Sequence, residues 1–280
     1  MTGPSGNGNG PGAALITGGG AGIGRALALV LARRGVPVVV ADFDQAGLEA
    51  TIAAVEAEGA SASGRWVDVT ERGRLTSLVE DVAASHGLGY LFNNAGIGGT
   101  LPFDRATPEQ RDRILELNLR SVIEGTTAAY RVMTAQGHGH IVNTASVAGL
   151  VPVPGQTLYN TTKFAVVGLS RTLRIEAAPH GVRVSVVCPG NVATDIFAKA
   201  ILHTPATTRT SRSAAGDANV PADAISAAEA ADEIVGGVDR NEEVIVFPRS
   251  ARHLTELCAT EPEQWNRWAT RTLRLRQGGG

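Results

Sequence analysis

The stretch Ala13-Ala14-Leu15-Ile16-Thr17-Gly18-Gly19-Gly20-Ala21-Gly22-Ile23-Gly24-Arg25 decides the fold. A short apolar run ends at Thr17, glycines follow, and an amphipathic pattern starts at Ile23. Glycine here permits a tight turn and close backbone approach to a pyrophosphate. A helix that follows offers free N–H groups and the positive end of its dipole to the anion. A glycine-rich turn alone reads equally well as a flexible loop. The strand before it and the helix after it favour the nucleotide reading, with Gly18, Gly22, Ile23 and Gly24 as candidate cofactor contacts.

The same alternation continues along the chain. Candidate strands are Ala14–Thr17, Pro37–Asp42, Ser63–Val69, Tyr90–Asn93, His140–Thr144, Arg183–Cys188 and Val244–Phe247. Candidate helices are Ile23–Arg34, Gln45–Glu58, Glu71–Ser85, Thr107–Ala135, Leu158–Ala178 and Ala227–Asp239. Runs such as Val38-Val39-Val40 are apolar without interruption, as strands covered on both faces are. Strand–helix–strand alternation predicts an α/β fold with a parallel sheet and helices on both sides. Residues 198–224, rich in Thr, Ser, Ala and Pro, break the pattern and are expected to form a substrate lid. Residues 249–280, with Trp265, Trp268, Leu273 and several arginines, read as a helical C-terminal tail too short for a second domain.

Composition narrows the function classes. The 280 residues suit one α/β domain or two small ones; 43% are hydrophobic and 19% charged. A net charge of -2 gives no electrostatic reason to expect a nucleic-acid partner. Cys188 and Cys258 have no metal-ligand spacing, which predicts no metal site and fits a reducing cytoplasm. Residues 1–12 read as a disordered tail without a signal peptide's apolar core, and no run is long enough for a membrane span.

Three places carry chemistry. Asp42 ends the second candidate strand, 18 positions after Gly24, where a carboxylate can accept the ribose hydroxyls of an adenosine. Phe43 follows it. Tyr159 and Lys163 lie four apart in a helical stretch and so share a face. An ammonium beside a phenol favours the phenolate and is expected to lower the tyrosine pKa toward working pH, making Tyr159 a usable acid or base. Ser146 ends the fifth candidate strand, where open α/β sheets place ligands, and its hydroxyl can donate to a substrate oxygen. Asn118 sits inside a predicted long helix, although Asn is a poor helix former. It either caps a kink, holds a water, or is tolerated on the surface.

Taken together, TGGGAGIG at 17–24, Asp68-Val69, NNAG at 93–96, Asn118, Ser146, YNTTK at 159–163 and PGNVAT at 189–194 resemble the short-chain dehydrogenase/reductase family. The resemblance covers about residues 13–248. It implies one Rossmann-type, doubly wound domain with seven parallel strands. It also implies a catalytic set of Asn118, Ser146, Tyr159 and Lys163. Ser146 would orient the substrate oxygen, Tyr159 would exchange the proton, Lys163 would hold the nicotinamide ribose and tune the tyrosine, and Asn118 would position a water. Asp68 would reach the adenine with Val69 beside it. Asn94, Ala95 and Gly96 would line the cofactor, and Pro189, Gly190, Val192 and Thr194 would flank the nicotinamide. Family members often carry an acidic residue where this chain has Gly89, a position outside the chemistry.

The implied activity is hydride transfer between NAD and a secondary alcohol or ketone. Likenesses on the same fold include a non-catalytic dinucleotide sensor, which need not keep the four residues, and epimerases or dehydratases, which have longer substrate domains. NAD is expected over NADP because a 2′-phosphate would meet the Asp42 carboxylate. Unit charges about 4 Å apart repel by roughly 4 kcal/mol at an effective dielectric of 20. Phe43 and Ala21 occupy positions that often carry the rescuing cation, and Arg25 is expected to point elsewhere. Gly98, Val147, Leu150, Val153, Asn191 and Phe197 are expected to wall a mostly apolar substrate pocket. The helices at Thr107–Ala135 and Leu158–Ala178 have apolar surface to spare, which with the resemblance implies a homo-oligomer, tetramer before dimer.

Overall fold

The computed structural model describes residues 12–194 and 223–277. Seven parallel strands form the sheet: β1 (Ala13–Thr17), β2 (Val38–Asp42), β3 (Ala62–Trp66), β4 (Leu88–Asn93), β5 (Gly139–Thr144), β6 (Val182–Pro189) and β9 (Val244–Phe247). Their order is β3-β2-β1-β4-β5-β6-β9. β1 is flanked by β2 on one side and β4 on the other. The chain reverses its winding there, so the C-terminal ends of β1 and β4 open a crevice suited to a ligand. The alternation predicts the parallel sheet with helices on both sides, and the doubly wound, Rossmann-type order is the one the resemblance implies.

Side-chain alternation builds a core on each face of the sheet. Ile16, Val40, Phe92, Val142 and Ile245 point to one face. There they meet Leu27 and Leu31 of α1 (Gly22–Arg33), Leu48 and Val55 of α2 (Gln45–Ala57), and Ile234 and Val238 of α7 (Ala227–Asp239). Leu15, Val39, Leu91, Ile141 and Val184 point to the other. They pack on Leu75, Val79 and Val82 of α3 (Arg74–His86) and on Ala129 and Met133 of α5 (Ser121–Gln136). The helix α6 (Thr157–Ala177) covers β6 on this side.

Several boundaries differ from expectation. The predicted strand Ser63–Val69 stops at Trp66, because β2 ends at its partner Asp42. Asp68 and Val69 therefore lie in the turn beyond the strand. The helix expected over Thr107–Ala135 is divided. It starts at α4 (Pro108–Leu115) behind a Thr107–Gln110 capping box, widens to a π-turn over Glu116–Arg120, and resumes as α5. Residues 195–222, and with them Phe197 and most of the expected 198–224 lid, lie outside the described residues. Next to them, β7 (Val192–Ala193) and β8 (Ile225–Ser226) pair in parallel. The expected tail is two helices, α8 (Arg249–Thr260) and α9 (Pro262–Gln277). Among the described residues no helix is long and apolar enough to cross a membrane.

Candidate active site

The turn after β1 has the conformation its glycines foretell. Gly18 and Gly22 adopt φ of +66° and +51°, which L side chains seldom do. A Cβ on Gly24 would stand 2.1 Å from the Gly18 carbonyl oxygen, so only glycine lets α1 approach β1 this closely. The N-cap Ala21 provides no side-chain acceptor, leaving first-turn N–H groups of α1 to an incoming anion. Ile23 packs against the core and orients the helix.

Asp42 stands beside this turn. Its Oδ2 accepts from the Gly20 N–H at 2.9 Å and its Oδ1 from Asp44 N–H at 3.0 Å. A carboxylate has about four lone-pair sites, so acceptor capacity remains on each oxygen. Phe43 projects outward, 65% exposed. Arg25 does not point away. Its Nη2 donates to the Gly20 carbonyl at 2.5 Å and its Nε to Thr51 Oγ1 at 3.0 Å, folding the guanidinium against the turn and α2. Asp68 Oδ1 accepts from the amide and hydroxyl of Thr70 at 2.9 and 2.7 Å. Burial works to raise the Asp68 pKa, but the Thr70 bonds and nearby Arg113 outweigh it and hold the carboxyl below its ordinary value. Val69 is buried beside it.

Asn94, Ala95 and Gly96 leave the end of β4 next to the glycine turn. Thr17 holds them there: its Oγ1 accepts from the amides of Asn94 and Ala95 at 3.0 and 3.1 Å and donates to Phe92 O. Asn94 Nδ2 donates back to Thr17 O at 3.2 Å. Across the crevice, a Cβ on Gly22 would stand 3.3 Å from Thr194 Cγ2, so the segment carrying Pro189, Gly190, Val192 and Thr194 returns to the turn.

The four side chains expected to do chemistry converge between β4, β5 and β6. The Ser146 hydroxyl accepts from Ala148 N–H at 3.1 Å, donates to Pro189 O at 3.4 Å and lies near enough to the Tyr159 phenol to work against the rise of its pKa. Lys163 Nζ lies 5.5 Å from the Tyr159 ring centroid and donates to Thr144 O at 3.0 Å. Asn118 Nδ2 donates to Ile97 O and its Oδ1 accepts from Ile97 N–H, both at 2.8 Å. A Cβ added to Gly96 would stand 3.1 Å from Asn118 Oδ1 and 3.7 Å from Lys163 Nζ, which places the asparagine beside the lysine. Asn118 is fully buried within the π-turn, so it is not a tolerated surface residue.

Electrostatics differ from the expected lowering of the tyrosine pKa. Burial pushes Tyr159 up to about 12, against the opposing Ser146 hydroxyl. Burial also brings Lys163 down to about 8. Both groups are taken out of water, and in the protein alone that loss of solvation exceeds their mutual effect. Cys188 lies at the base of the site, fully buried, its thiol pushed up to about 12 by burial, which fits a packed residue and not a nucleophile.

The sequence reading missed the polar layer beneath the site. Asn93 Nδ2 donates to Asn143 Oδ1 at 2.9 Å and to Thr126 Oγ1 at 3.1 Å, and Asn143 Nδ2 donates to Ser170 Oγ at 3.0 Å. All four residues are buried. Polar residues inside apolar strands and helix faces were the available signal, since such groups require partners.

A family model described as short chain dehydrogenase matches residues 12–204. Cyclopentanol dehydrogenase of Comamonas testosteroni is 36% identical over 181 residues, 64% of this chain and 72% of that protein. The chain spans 63% of the length of one other curated relative and 31% of another. A short chain dehydrogenase/reductase from Burkholderia phymatum, solved in complex with NAD, is 30% identical with a TM-score of 0.79, covering 90% of this chain and 94% of that one. A short-chain dehydrogenase from Sphingobium yanoikuyae, solved in complex with NADPH, is 27% identical with a TM-score of 0.74 and covers 95% of each chain. With the matched model running from the glycine turn past Tyr159 and Lys163, this chain belongs to the short-chain dehydrogenase family of oxidoreductases.

Proposed function

We propose that the protein is an NAD-dependent oxidoreductase acting on a secondary alcohol or ketone of apolar character, with Tyr159 as general acid/base. The observation that carries this reading is the buried Tyr159 phenol, overlain by Lys163 and near the Ser146 hydroxyl, at the end of the crevice that starts at the glycine turn. The turn fits a dinucleotide: the first-turn N–H groups of α1 that follow it have no side-chain cap, and Gly18, Gly22 and Gly24 stand where a Cβ would be strained or crowded.

Gly18, Gly22, Ile23 and Gly24 would hold the pyrophosphate, and Asp42 the adenosine ribose. Asp68 and Val69 would lie at the adenine, with Phe43 at its edge. Asn94, Ala95, Gly96, Pro189, Gly190, Val192 and Thr194 would line the remainder toward the nicotinamide. When bound, the nicotinamide supplies or accepts the hydride at the substrate carbon. The chain's own part is proton transfer. Ser146 donates a hydrogen bond to the substrate oxygen as charge develops there. Tyr159, neutral because it is buried, gives its proton to that oxygen in reduction and regains it in oxidation. Lys163 stabilises the phenolate between those events, and Asn118 keeps the 96–97 backbone placed beside it.

Asp42 supports NAD over NADP: a 2′-phosphate would meet a carboxylate already fixed by two backbone amides. Arg25 is held against the turn by its bonds to Gly20 and Thr51 and makes no hydrogen bond to Asp42. Half-buried Val153, packed in the same cluster as Tyr159, supports an apolar substrate; Val147 and Leu150 are half-buried in the loop between Ser146 and Val153. The deciding experiment is a spectrophotometric screen of the wild-type protein and Tyr159→Phe with NAD and NADP against secondary alcohols and ketones. Absorbance change at the nicotinamide band with wild type and none with the variant supports the reading; none with either rejects it.

A further inference from the structure

The C-terminal helices join two loops that border the crevice from opposite sides. At one end, α8 is seated on the loop after β6. Gly190 has no side chain where Ala251 packs; a Cβ there would stand 2.8 Å from Ala251 Cβ. Asp223 completes the seam, accepting from Asn191 Nδ2 at 3.3 Å and from the Ser250 hydroxyl. At the other end, α9 reaches the loop after β5. Trp265 is only 2% exposed, packs at a tilt of 44° against Trp268 with ring centroids 4.9 Å apart, and donates its indole N–H to Pro152 O at 3.2 Å.

That loop bears directly on Tyr159. The Val151 carbonyl accepts from Asn160 Nδ2 at 2.9 Å, one residue along α6 from Tyr159. Val153 packs into the same cluster as Tyr159, Leu101 and Ala148. Gly155 O accepts from Leu101 N–H at 3.1 Å, tying in the loop after β4. Pro152 lies between the two anchored neighbours, so the indole bond is the third tether of one short segment.

We propose that α8 and α9 form the outer wall of the substrate crevice and that Trp265 is the positioning residue through which they hold the 151–155 loop, setting the size of ketone admitted over Tyr159. The inference rests on the alcohol/ketone reading for its substrate class; the tether itself does not. Trp265→Phe removes the donor and keeps an aromatic ring, whereas Trp265→Ala also removes the packing. Both are compared with wild type by amide hydrogen exchange over 150–156 in the cofactor-free protein. NADH affinity is read by fluorescence, and kcat and KM are measured for cyclopentanone, cyclohexanone and 1-indanone.

Exchange over 150–156 is expected to quicken about tenfold in Trp265→Ala and a few-fold in Trp265→Phe, as local opening becomes easier. The KM for cyclopentanone is expected to rise about tenfold while that for 1-indanone moves less, with kcat and NADH affinity within about twofold of wild type. Unaltered exchange in both variants overturns the tether. A KM that moves by one common factor for all three ketones overturns the role in size selection. If wild type reduces none of the ketones, the cyclic-ketone substrate class and with it the size selection fall, and the exchange measurement still decides the tether.

Discussion

A neutral phenol held at about 12 beside an amine brought down to about 8 makes the Tyr159–Lys163 pair a proton store whose setting is burial. Tyr159→Phe removes the transferable proton and leaves the ring in place, so turnover should fall about 100- to 10,000-fold with cofactor binding nearly intact. Turnover within a few-fold of wild type would exclude Tyr159 as the acid/base. Lys163→Ala should weaken both turnover and cofactor affinity. At the adenosine end, NAD should be preferred over NADP by at least about tenfold in kcat/KM, equivalent to ~1.4 kcal/mol. Asp42→Ala combined with Phe43→Arg should erode or invert that preference, and better use of NADP by the wild type would refute the role of Asp42. These residues were legible because each sits at a strand end or at i, i+4 spacing, where position determines what it can face. The path of Arg25 was not: Gly20 O and Thr51 Oγ1 become its partners only once β1, β2 and α2 are assembled.

At the scale of elements, the segment from Pro108 to Gln136 carries an interruption that periodicity does not announce. Apolar spacing tolerates one extra residue in a turn, so a π-turn and a continuous helix look alike in sequence; only the poorly helical Asn118 hinted at it. That turn brings the buried Asn118 amide level with both polar groups of Ile97. Asn118→Ala would leave the part-buried N–H and C=O of Ile97 without these partners, each costing up to about 1–3 kcal/mol when unsatisfied. A melting temperature lower by about 4–8 °C, with turnover reduced, is expected for a chain of this size. A variant that melts with the wild type would show that water replaces the side chain without loss. The premature end of β3 was equally hidden, because it depends on where β2 stops.

For the molecule as a whole, half-exposed Ile123 and Phe164 and the 76%-exposed Ile175 leave apolar surface on α5 and α6. We expect these faces to be covered by further copies of the chain, a tetramer before a dimer. A monomer by light scattering at micromolar concentration would reject this. Acid stability is set elsewhere, at the opposite end of the sheet from the crevice. His140 is fully buried, its Nε2 is 2.9 Å from Ser185 Oγ, and burial lowers its pKa to about 3, helped by Arg183 and Arg174. The folded protein thus resists a proton that the unfolded chain accepts near its ordinary value of 6.5. Stability from this group is complete above that value and is lost as pH falls toward 3, by up to about 1.4 kcal/mol per pH unit. Urea midpoints should fall between pH 6.5 and 5, and less steeply in His140→Gln. Equal slopes would place the acid sensitivity in other groups.

β3 forms one edge of the sheet, and its composition bears on how the protein behaves in a crowded solution. Every interior strand hides its backbone between two neighbours, whereas β3, like β9 at the opposite edge, has a neighbour on one side only. Ala62-Ser63-Gly64-Arg65-Trp66 is short, lacks β-branched residues and carries a cation, so it is a poor template for fibrillar growth from this side. This edge thus guards against self-association by strand addition on its own side of the sheet.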